Sequence, residues 1–168
     1  MAAGNTYVAI GSTTLSSAAS SITFSSIPST YTDLVLVTNF GTTVGGYITG
    51  IKLNNDTGAN YSTVSLYGSS QGVIAYKRTN DTLGMNFSNW FGTSTTLAGS
   101  NGIYHIMNYS NTTTYKTAIG RSNDASMQTE ATVGLWRNTA AVTSVNFWVD
   151  TTTLKAGSTA ALYGIAYA

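Results

Sequence analysis

Uncharged hydrogen-bonding side chains dominate the polar part of this chain. Ser, Thr and Asn account for 63 of its 168 residues, whereas only 8% of the residues are charged. Helix surfaces are usually built from Lys, Glu, Arg and Gln, because these side chains favour the helical backbone. Thr instead suits strands, and Ser and Asn suit turns and caps. The composition therefore predicts an all-β protein whose surface can dock on another surface without stripping water from many ions.

The length of 168 residues suits a single domain, which buries ~70% of the surface that its unfolded chain exposes. The longest apolar run, Leu34–Val37, is far shorter than the ~20 residues of a membrane helix. The start of the chain has neither the basic nor the apolar region of a signal peptide, so we expect no secretory export. We expect an arm or edge strand over residues 1–20 and one β-sandwich domain over residues 21–168.

Charge and cysteine content argue against several classes of function. The net charge is +1, and the seven basic residues are scattered, with only Lys77 and Arg78 adjacent, whereas binding to nucleic acid or to a membrane surface needs clustered positive charge. The chain has no cysteine, which excludes disulfide scaffolds and thiolate metal sites. A low net charge leaves little self-repulsion, so we expect a homo-oligomer.

Short strand-like segments recur between clusters of Gly, Asn, Ser and Asp. Apolar residues alternate clearly within Thr143–Asp150, which is typical of a half-buried antiparallel strand. Leu34–Val37 is continuously apolar, which predicts a strand covered on both faces. The other predicted strands are Ile22–Phe24, Tyr47–Leu53, Val64–Tyr67, Val73–Lys77, Ile103–Tyr109, Tyr115–Ile119, Thr132–Trp136 and Leu162–Ile165. The pattern predicts an antiparallel β-sandwich, of jelly-roll type, with about eight to ten short strands.

Two glycine-containing segments predict turns. In Asn54–Gly58, the final glycine is available for positive φ. Gly68–Gly72 matches G-x-S-x-G, the nucleophile elbow, which needs a strand before it and a helix after it. Because the residues that follow look like a strand, a hairpin loop is favoured. If the chain is an enzyme, the alternative that the motif leaves open is a small hydrolase that uses Ser70 and His105.

Titratable residues are sparse, and their pattern does not indicate a catalytic or metal site. The six acids are Asp33, Asp56, Asp81, Asp124, Glu130 and Asp150. Nothing singles out a catalytic pair among them, and three lie in turn-like contexts where Asp commonly binds the backbone. We interpret His105 as a hydrogen-bonded sheet histidine, because no second His or Cys exists to complete a metal site. Asn54–Gly58 lacks the spaced carboxylates of a calcium loop. We therefore expect no catalytic residue, no cofactor and no metal.

Eleven Tyr and three Trp allow two interpretations. Their faces could stack on the apolar faces of sugar rings and so form a glycan platform. The same residue types are favoured inside strands and at protein interfaces. Packing within the sheets is the favoured interpretation.

Five stretches resemble a known module. They are Ser20–Val37, Leu53–Ser62, Tyr115–Thr117, Gly134–Val145 and Ala156–Ile165. In this order they resemble a β-sandwich module found in virion proteins of tailed bacteriophages, and together they anchor nearly the whole chain. Related modules occur on tail fibres, tail-tip proteins and head-surface proteins. The family has no catalytic residues to carry over.

The resemblance implies a structural protein of the virion. Because the chain begins at Met1 and carries only this module, we expect a head decoration (cement) protein that binds the major capsid protein between capsomers and braces the shell. We expect a homo-oligomer and favour a trimer over a dimer. We expect the N-terminal arm to lie on a neighbouring subunit. The alternative is a tail or fibre protein that recognises a host receptor or glycan through exposed Tyr or Trp. The expected location is the virion, on the head surface rather than the tail, after synthesis in the host cytoplasm.

Overall fold

The computed structural model describes residues 6–45, 48–70, 72–88, 95–97, 99–124 and 128–166. Within these ranges the chain forms twelve strands and no helix. The strands are β1 (Tyr7–Thr14), β2 (Ser21–Phe24), β3 (Asp33–Phe40), β4 (Thr49–Leu53), β5 (Tyr61–Ser69), β6 (Gly72–Asp81), β7 (Met85–Ser88), β8 (Ser100–Met107), β9 (Lys116–Asp124), β10 (Gln128–Trp136), β11 (Val145–Val149) and β12 (Thr159–Ile165). The all-β fold class predicted from composition is confirmed.

The strands pair antiparallel in two sheets. The large sheet has eight strands in the order β1-β12-β3-β8-β9-β10-β5-β6, and the small sheet has four in the order β2-β11-β4-β7. Buried apolar residues of both sheets belong to one core cluster, so the sheets pack face to face. The predicted antiparallel β-sandwich is confirmed, and its jelly-roll connectivity stays a prediction.

Aromatic rings fill much of the space between the sheets. The ring of Tyr104 on β8 lies 4.6 Å from that of Phe87 on β7 and 6.3 Å from that of Phe147 on β11, centroid to centroid. Phe147 also meets Phe40 of β3 edge-on at 5.1 Å. All four residues are at most 1% exposed. Each ring contributes about 1.5–3 kcal/mol through burial, so these contacts are a main source of adhesion between the two sheets.

The predicted strands do not include β7. Its four residues, Met85–Ser88, do alternate apolar and polar side chains, but a run this short is at the lower limit of what an alternating pattern can identify. In the structure Met85, Asn86 and Phe87 are all at most 1% exposed. The structure thus has twelve strands, more than the predicted eight to ten. The two additional strands are β7 and β1, and the expectation for β1 is an arm or an edge strand.

Two details of the predicted strands differ from the structure or fall outside it. Leu34, Val35 and Leu36 are at most 3% exposed, but Val37 is 39% exposed, so the prediction that Leu34–Val37 is covered on both faces is wrong at its last residue. Successive side chains of a strand point to opposite faces, and Val37 points away from the small sheet. Tyr47, which opens the predicted strand Tyr47–Leu53, lies outside the described residues.

The predicted turn at Asn54–Gly58 is confirmed, but it is built differently from the prediction. Positive φ occurs at Asn54 (53°) and Asn55 (51°), and Asn tolerates this conformation better than most residues. Gly58 has no positive φ, so its predicted role is wrong. It is needed for space instead, because a Cβ there would lie 2.7 Å from Nδ2 of Asn60 and 3.1 Å from Oδ1 of Asp56.

The first strand lies at one end of the large sheet. β1 pairs with β12, from Tyr7 opposite Ile165 to Thr14 opposite Thr159. Ile10 of this strand packs against the core. The segment 7–14 is therefore an edge strand of its own chain's sheet, and a contact of residues 1–20 with a neighbouring subunit stays a prediction.

Candidate functional site

The side-chain pattern of β5 and β10 is reversed relative to an ordinary sheet with one wet face. In β5, Ser65 is 1% exposed, whereas Val64 and Leu66 on either side are 57% and 56% exposed. In β10, Thr132 is 3% exposed and Val133 is 50% exposed. Antiparallel sheets normally bury their apolar face and expose their polar face. An exposed set of large apolar side chains is therefore the informative departure in this fold.

More exposed apolar side chains join these three on neighbouring strands. Val133 is paired with Val64 on β5 and with Ile119 on β9. We define the outer patch as the exposed apolar residues on the face of the large sheet turned away from the small sheet: Val37, Val64, Leu66, Val73, Ile119 and Val133. Strand spacings of ~4.8 Å and side-chain repeats of ~6.8 Å give this patch an area on the order of 500 Å². The outer patch is therefore about as large as the largest apolar patch of a typical soluble monomer, about 300–600 Å², and such a patch is often a functional surface.

The inner face of the same strands has little room for large side chains around Gly120 and Gly134. A Cβ at Gly120 would lie 2.6 Å from the Tyr104 ring, and one at Gly134 would lie 2.5 Å from the sulfur of Met85. Beside these glycines, the hydroxyls of Ser65 and Thr132 are 2.9 Å apart, which satisfies two buried polar groups. In the middle of these strands, small and hydroxyl side chains thus occupy the inner positions and the larger apolar side chains lie outside, whereas Tyr61 and Trp136 fill the inner face at one end of β5 and β10.

A cleft of about 520 Å³ adjoins the outer patch across β3, β8, β9 and β10. Its outward-facing lining residues are Val37, Asn39, Asn101, Ile103, Arg121, Asn123 and Thr129. Asn101, Asn123 and Thr129 are direct cross-strand neighbours, so two amides and a hydroxyl stand ~5 Å apart in one row. The side-chain amide of Asn39 is oriented so that both its nitrogen and its oxygen can form hydrogen bonds. Its nitrogen then donates to the carbonyl oxygens of Leu97 at 3.0 Å and Ser100 at 3.2 Å.

Arg121 lies in the row next to these amides, between apolar neighbours. It is paired with Ile103 on β8 and Ala131 on β10. Within the part of the chain that the structure describes, its guanidinium has neither an ion-pair nor a hydrogen-bond partner. Of the 13 charged residues, only Lys77 and Arg121 are exposed, and both lie on the outer face of the large sheet. The guanidinium therefore offers all five of its N–H donors inside the outer patch, in the row that runs from Val37 on β3 to Leu66 on β5.

His105 also lies on the outer face. Its Nε2 is 2.8 Å from Oδ2 of Asp33, and Oδ1 of Asp33 accepts a hydrogen bond from the backbone nitrogen of Asn108 at 2.7 Å. The prediction of a hydrogen-bonded sheet histidine is confirmed. Both carboxylate oxygens of Asp33 are thus engaged within the chain.

The glycine-serine motif forms a hairpin and does not approach His105. Ser69 at the end of β5 pairs with Gly72 at the start of β6, and Gly72 has a φ of 110°. The predicted hairpin loop is confirmed, although Gln71 lies outside the described residues. Ser70 and His105 are separated by β9 and β10 in the sheet and by roughly 25 Å. They cannot act as a nucleophile and its base in this fold.

The carboxylate of Asp56 is used by the fold. It accepts hydrogen bonds from Nε1 of Trp136 at 2.7 Å, Nδ2 of Asn60 at 2.8 Å and the backbone nitrogen of Gly58 at 2.7 Å. Burial pushes the pKa of Asp56 upward, but these hydrogen bonds and one from Asn138 outweigh it and hold the pKa below its usual value. Among the described residues, no three His, Cys, Asp or Glu side chains gather into a metal site.

The large aromatic residues mostly pack inside the sheets. Trp136 is 1% exposed and Trp148 is 8% exposed, so packing within the sheets is confirmed for these two, whereas Trp90 lies outside the described residues. Tyr7, 57% exposed, meets Tyr163 edge-on at 6.4 Å. The two described tryptophans are therefore not available as a stacking platform for a sugar.

Sequence reasoning does not find the outer patch, although part of its signal is present. Apolar and hydroxyl residues alternate from Thr63 to Leu66 and from Ala131 to Val133. Alternation shows that one face of a strand is apolar, but it does not show which face is buried. The direction depends on Gly120 and Gly134, which receive side chains from residues distant in the sequence.

Comparison of the chain with models of protein families and with curated proteins finds no match. The described residues include no helix that is both long and apolar enough to cross a membrane.

Proposed function

We propose that this chain is a structural protein of a bacteriophage virion that decorates the head by binding the major capsid protein between capsomers. The proposed function has no chemical step. Each copy would stabilise the shell by covering surface at a subunit junction, and many copies would act together through mass action and multivalency. The resemblance of five ordered stretches, from Ser20–Val37 to Ala156–Ile165, to a virion module supports the virion as the location.

The outer patch is the observation that carries the proposal. Removing an apolar area on the order of 500 Å² from water makes the free energy of association more favourable by about 12 kcal/mol, at ~25 cal/mol per Å². The loss of translational and rotational freedom on association costs about 4–15 kcal/mol. One copy would therefore bind with modest affinity through this surface alone. Repeated placement on a lattice, with further contacts between neighbouring copies, suits such a surface.

The distribution of charge supports docking on a protein. Only Lys77 and Arg121 are exposed among the charged residues, and both lie on the outer face of the large sheet, so a partner that covers this face has at most two cations to satisfy. Hydroxyl and amide side chains, such as Thr129 and Asn101 beside the patch, can exchange water for hydrogen bonds at the rim of an interface.

A cryo-electron-microscopy map of virions that contain the chain tests the proposal. We expect density for the two-sheet fold in regular copies between capsomers, which disappears from a map of virions that lack the gene. Density only at the tail or at a fibre tip would contradict the head location. That outcome would support the alternative of a tail or fibre protein with a receptor-binding role.

A homo-oligomer, with a trimer favoured over a dimer, is part of the same proposal. Sedimentation of the purified chain over a range of concentrations measures the assembly state. A protein that stays monomeric at the highest concentration would contradict this part of the proposal and leave the location to be decided by the map.

A further inference from the structure

The carboxylates of this chain are mostly committed to contacts within the chain. Asp33 is held by His105 and a backbone nitrogen, and Asp56 accepts three hydrogen bonds. Asp81 pairs with Arg78 at 3.1 Å, and Asp124 and Glu130 are each 4% exposed. The remaining acid, Asp150, follows β11 of the small sheet. The outer face of the large sheet therefore presents free positive charge and no free carboxylate among its described residues.

Covering the outer patch also covers Arg121. The guanidinium is flanked in its row by Ile103 and Ala131, and along its own strand by Ile119. A purely apolar partner surface would strip water from an unpaired cation, which costs far more than the apolar contact gains nearby. A partner must therefore supply an anionic acceptor at this point, and a carboxylate matches the planar fork of the guanidinium.

We infer that the outer patch and the cleft beside it bind an apolar protein surface that carries an Asp or Glu side chain, and that this carboxylate pairs with Arg121. The cleft next to Arg121 is lined by Asn101, Asn123 and Thr129. In the inferred complex, these side chains form hydrogen bonds with the polar atoms around that carboxylate. This inference rests on the proposed function, because it identifies the surface that faces the capsid and the chemistry of the capsid residue that faces it.

A second copy of the chain fits this surface less well. Two outer faces packed about a twofold axis would bring Arg121 and Lys77 of both copies together with no free carboxylate between them. Arg121 could meet Asp150 of another copy only in a head-to-tail contact, because Asp150 directly follows β11 of the other sheet. Charge complementarity thus favours a different protein as the occupant.

Binding of purified variants to virions that lack the gene tests the inference. Arg121→Glu places a negative charge where a carboxylate is expected, and Val133→Asp places one in the middle of the outer patch. Lys52→Glu is the matched control, since it makes the same change of charge on β4 of the small sheet. All three variants are first compared with the wild type by their unfolding midpoints, so that a loss of folding is not mistaken for a loss of binding.

We expect Arg121→Glu and Val133→Asp each to weaken binding by at least about 30-fold, and Lys52→Glu to stay within about threefold of the wild type. Folded variants at positions 121 and 133 that bind as the wild type does would overturn the inference and leave the proposed function intact. A wild-type chain that binds no virion overturns both. If the two variants instead convert an oligomer of the free chain into monomers in sedimentation experiments, the outer patch joins copies of the chain and the inferred acidic partner is wrong.

Discussion

Nε1 of Trp136 donates a hydrogen bond to Oδ2 of Asp56 across 2.7 Å, and this bond joins the last residue of β10 to the turn that follows β4. The indole is 1% exposed, so its N–H has no access to water. Oδ2 also accepts from Asn60, and Oδ1 accepts from the backbone nitrogen of Gly58. One carboxylate therefore fixes the turn and satisfies a buried donor from a strand of the other sheet.

Replacing Asp56 should destabilise the fold through these three donors. We expect Asp56→Ala to lower the free energy of unfolding by about 3 kcal/mol, because the buried Trp136 N–H loses its acceptor. Asp56→Asn keeps one oxygen and should cost less, about 1 kcal/mol. Urea unfolding followed by tryptophan fluorescence measures both. An Asp56→Ala protein with the midpoint of the wild type would show that the bond contributes no stability.

The same carboxylate should make stability fall in acid. The pKa of Asp56 is held below its usual 3.8 in the folded protein, so the unfolded chain binds the proton more tightly. The stabilisation is therefore fully present above the unfolded pKa and is lost as the pH falls through the folded pKa. We expect the difference in unfolding free energy between wild type and Asp56→Asn to be constant near neutral pH and to shrink below about pH 4. A difference that does not change down to pH 2 would contradict this assignment.

Local signals in the sequence identify the turn and the strands, but they do not show the contacts made across the sandwich. Asn54–Gly58 is rich in turn residues, and Val145–Val149 alternates, so both are predictable from a few neighbouring residues. Asp56 and Trp136 are separated by 80 positions, and no local pattern links them. The outward direction of Val64 and Leu66 is hidden for the same reason, because it depends on which side chains of β7 and β8 press on the opposite face.

Gly120 should be intolerant of any side chain. A Cβ there would lie 2.6 Å from Cδ1 of Tyr104 and 2.8 Å from Cδ1 of Phe87, and both rings are buried. We expect Gly120→Ala to cost about 1–3 kcal/mol of stability through overpacking. Gly68→Ala is the control in the same sheet, since a Cβ there meets nothing within 4 Å, and it should change stability by less than about 0.5 kcal/mol. Calorimetric unfolding measures the melting temperatures of both variants. Equal melting temperatures would mean that the rings of Tyr104 and Phe87 can move aside for a Cβ at position 120 without loss of stability.

Removal of residues 2–19 tests whether the N-terminal segment is an accessory arm or a part of the fold. The sequence-based expectation is that a chain without this segment still folds and only loses attachment to the particle. In the structure, β1 pairs along its length with β12, and Ile10 and Leu15 pack against the core. The deletion would therefore remove two apolar contacts and uncover the backbone edge of β12, which is a template for pairing with other chains.

We expect the deletion to lower the unfolding midpoint more than Ile10→Ala does, because the point variant keeps the β1–β12 ladder and loses only about 2 kcal/mol or less from a half-buried side chain. We also expect light scattering to rise with concentration for the deletion variant and not for Ile10→Ala, since only the deletion exposes an unpaired strand edge. If the deletion variant unfolds at the wild-type midpoint and stays dispersed, β1 is dispensable for the sandwich. Any loss of particle binding by that variant could then be assigned to the segment as a contact in its own right.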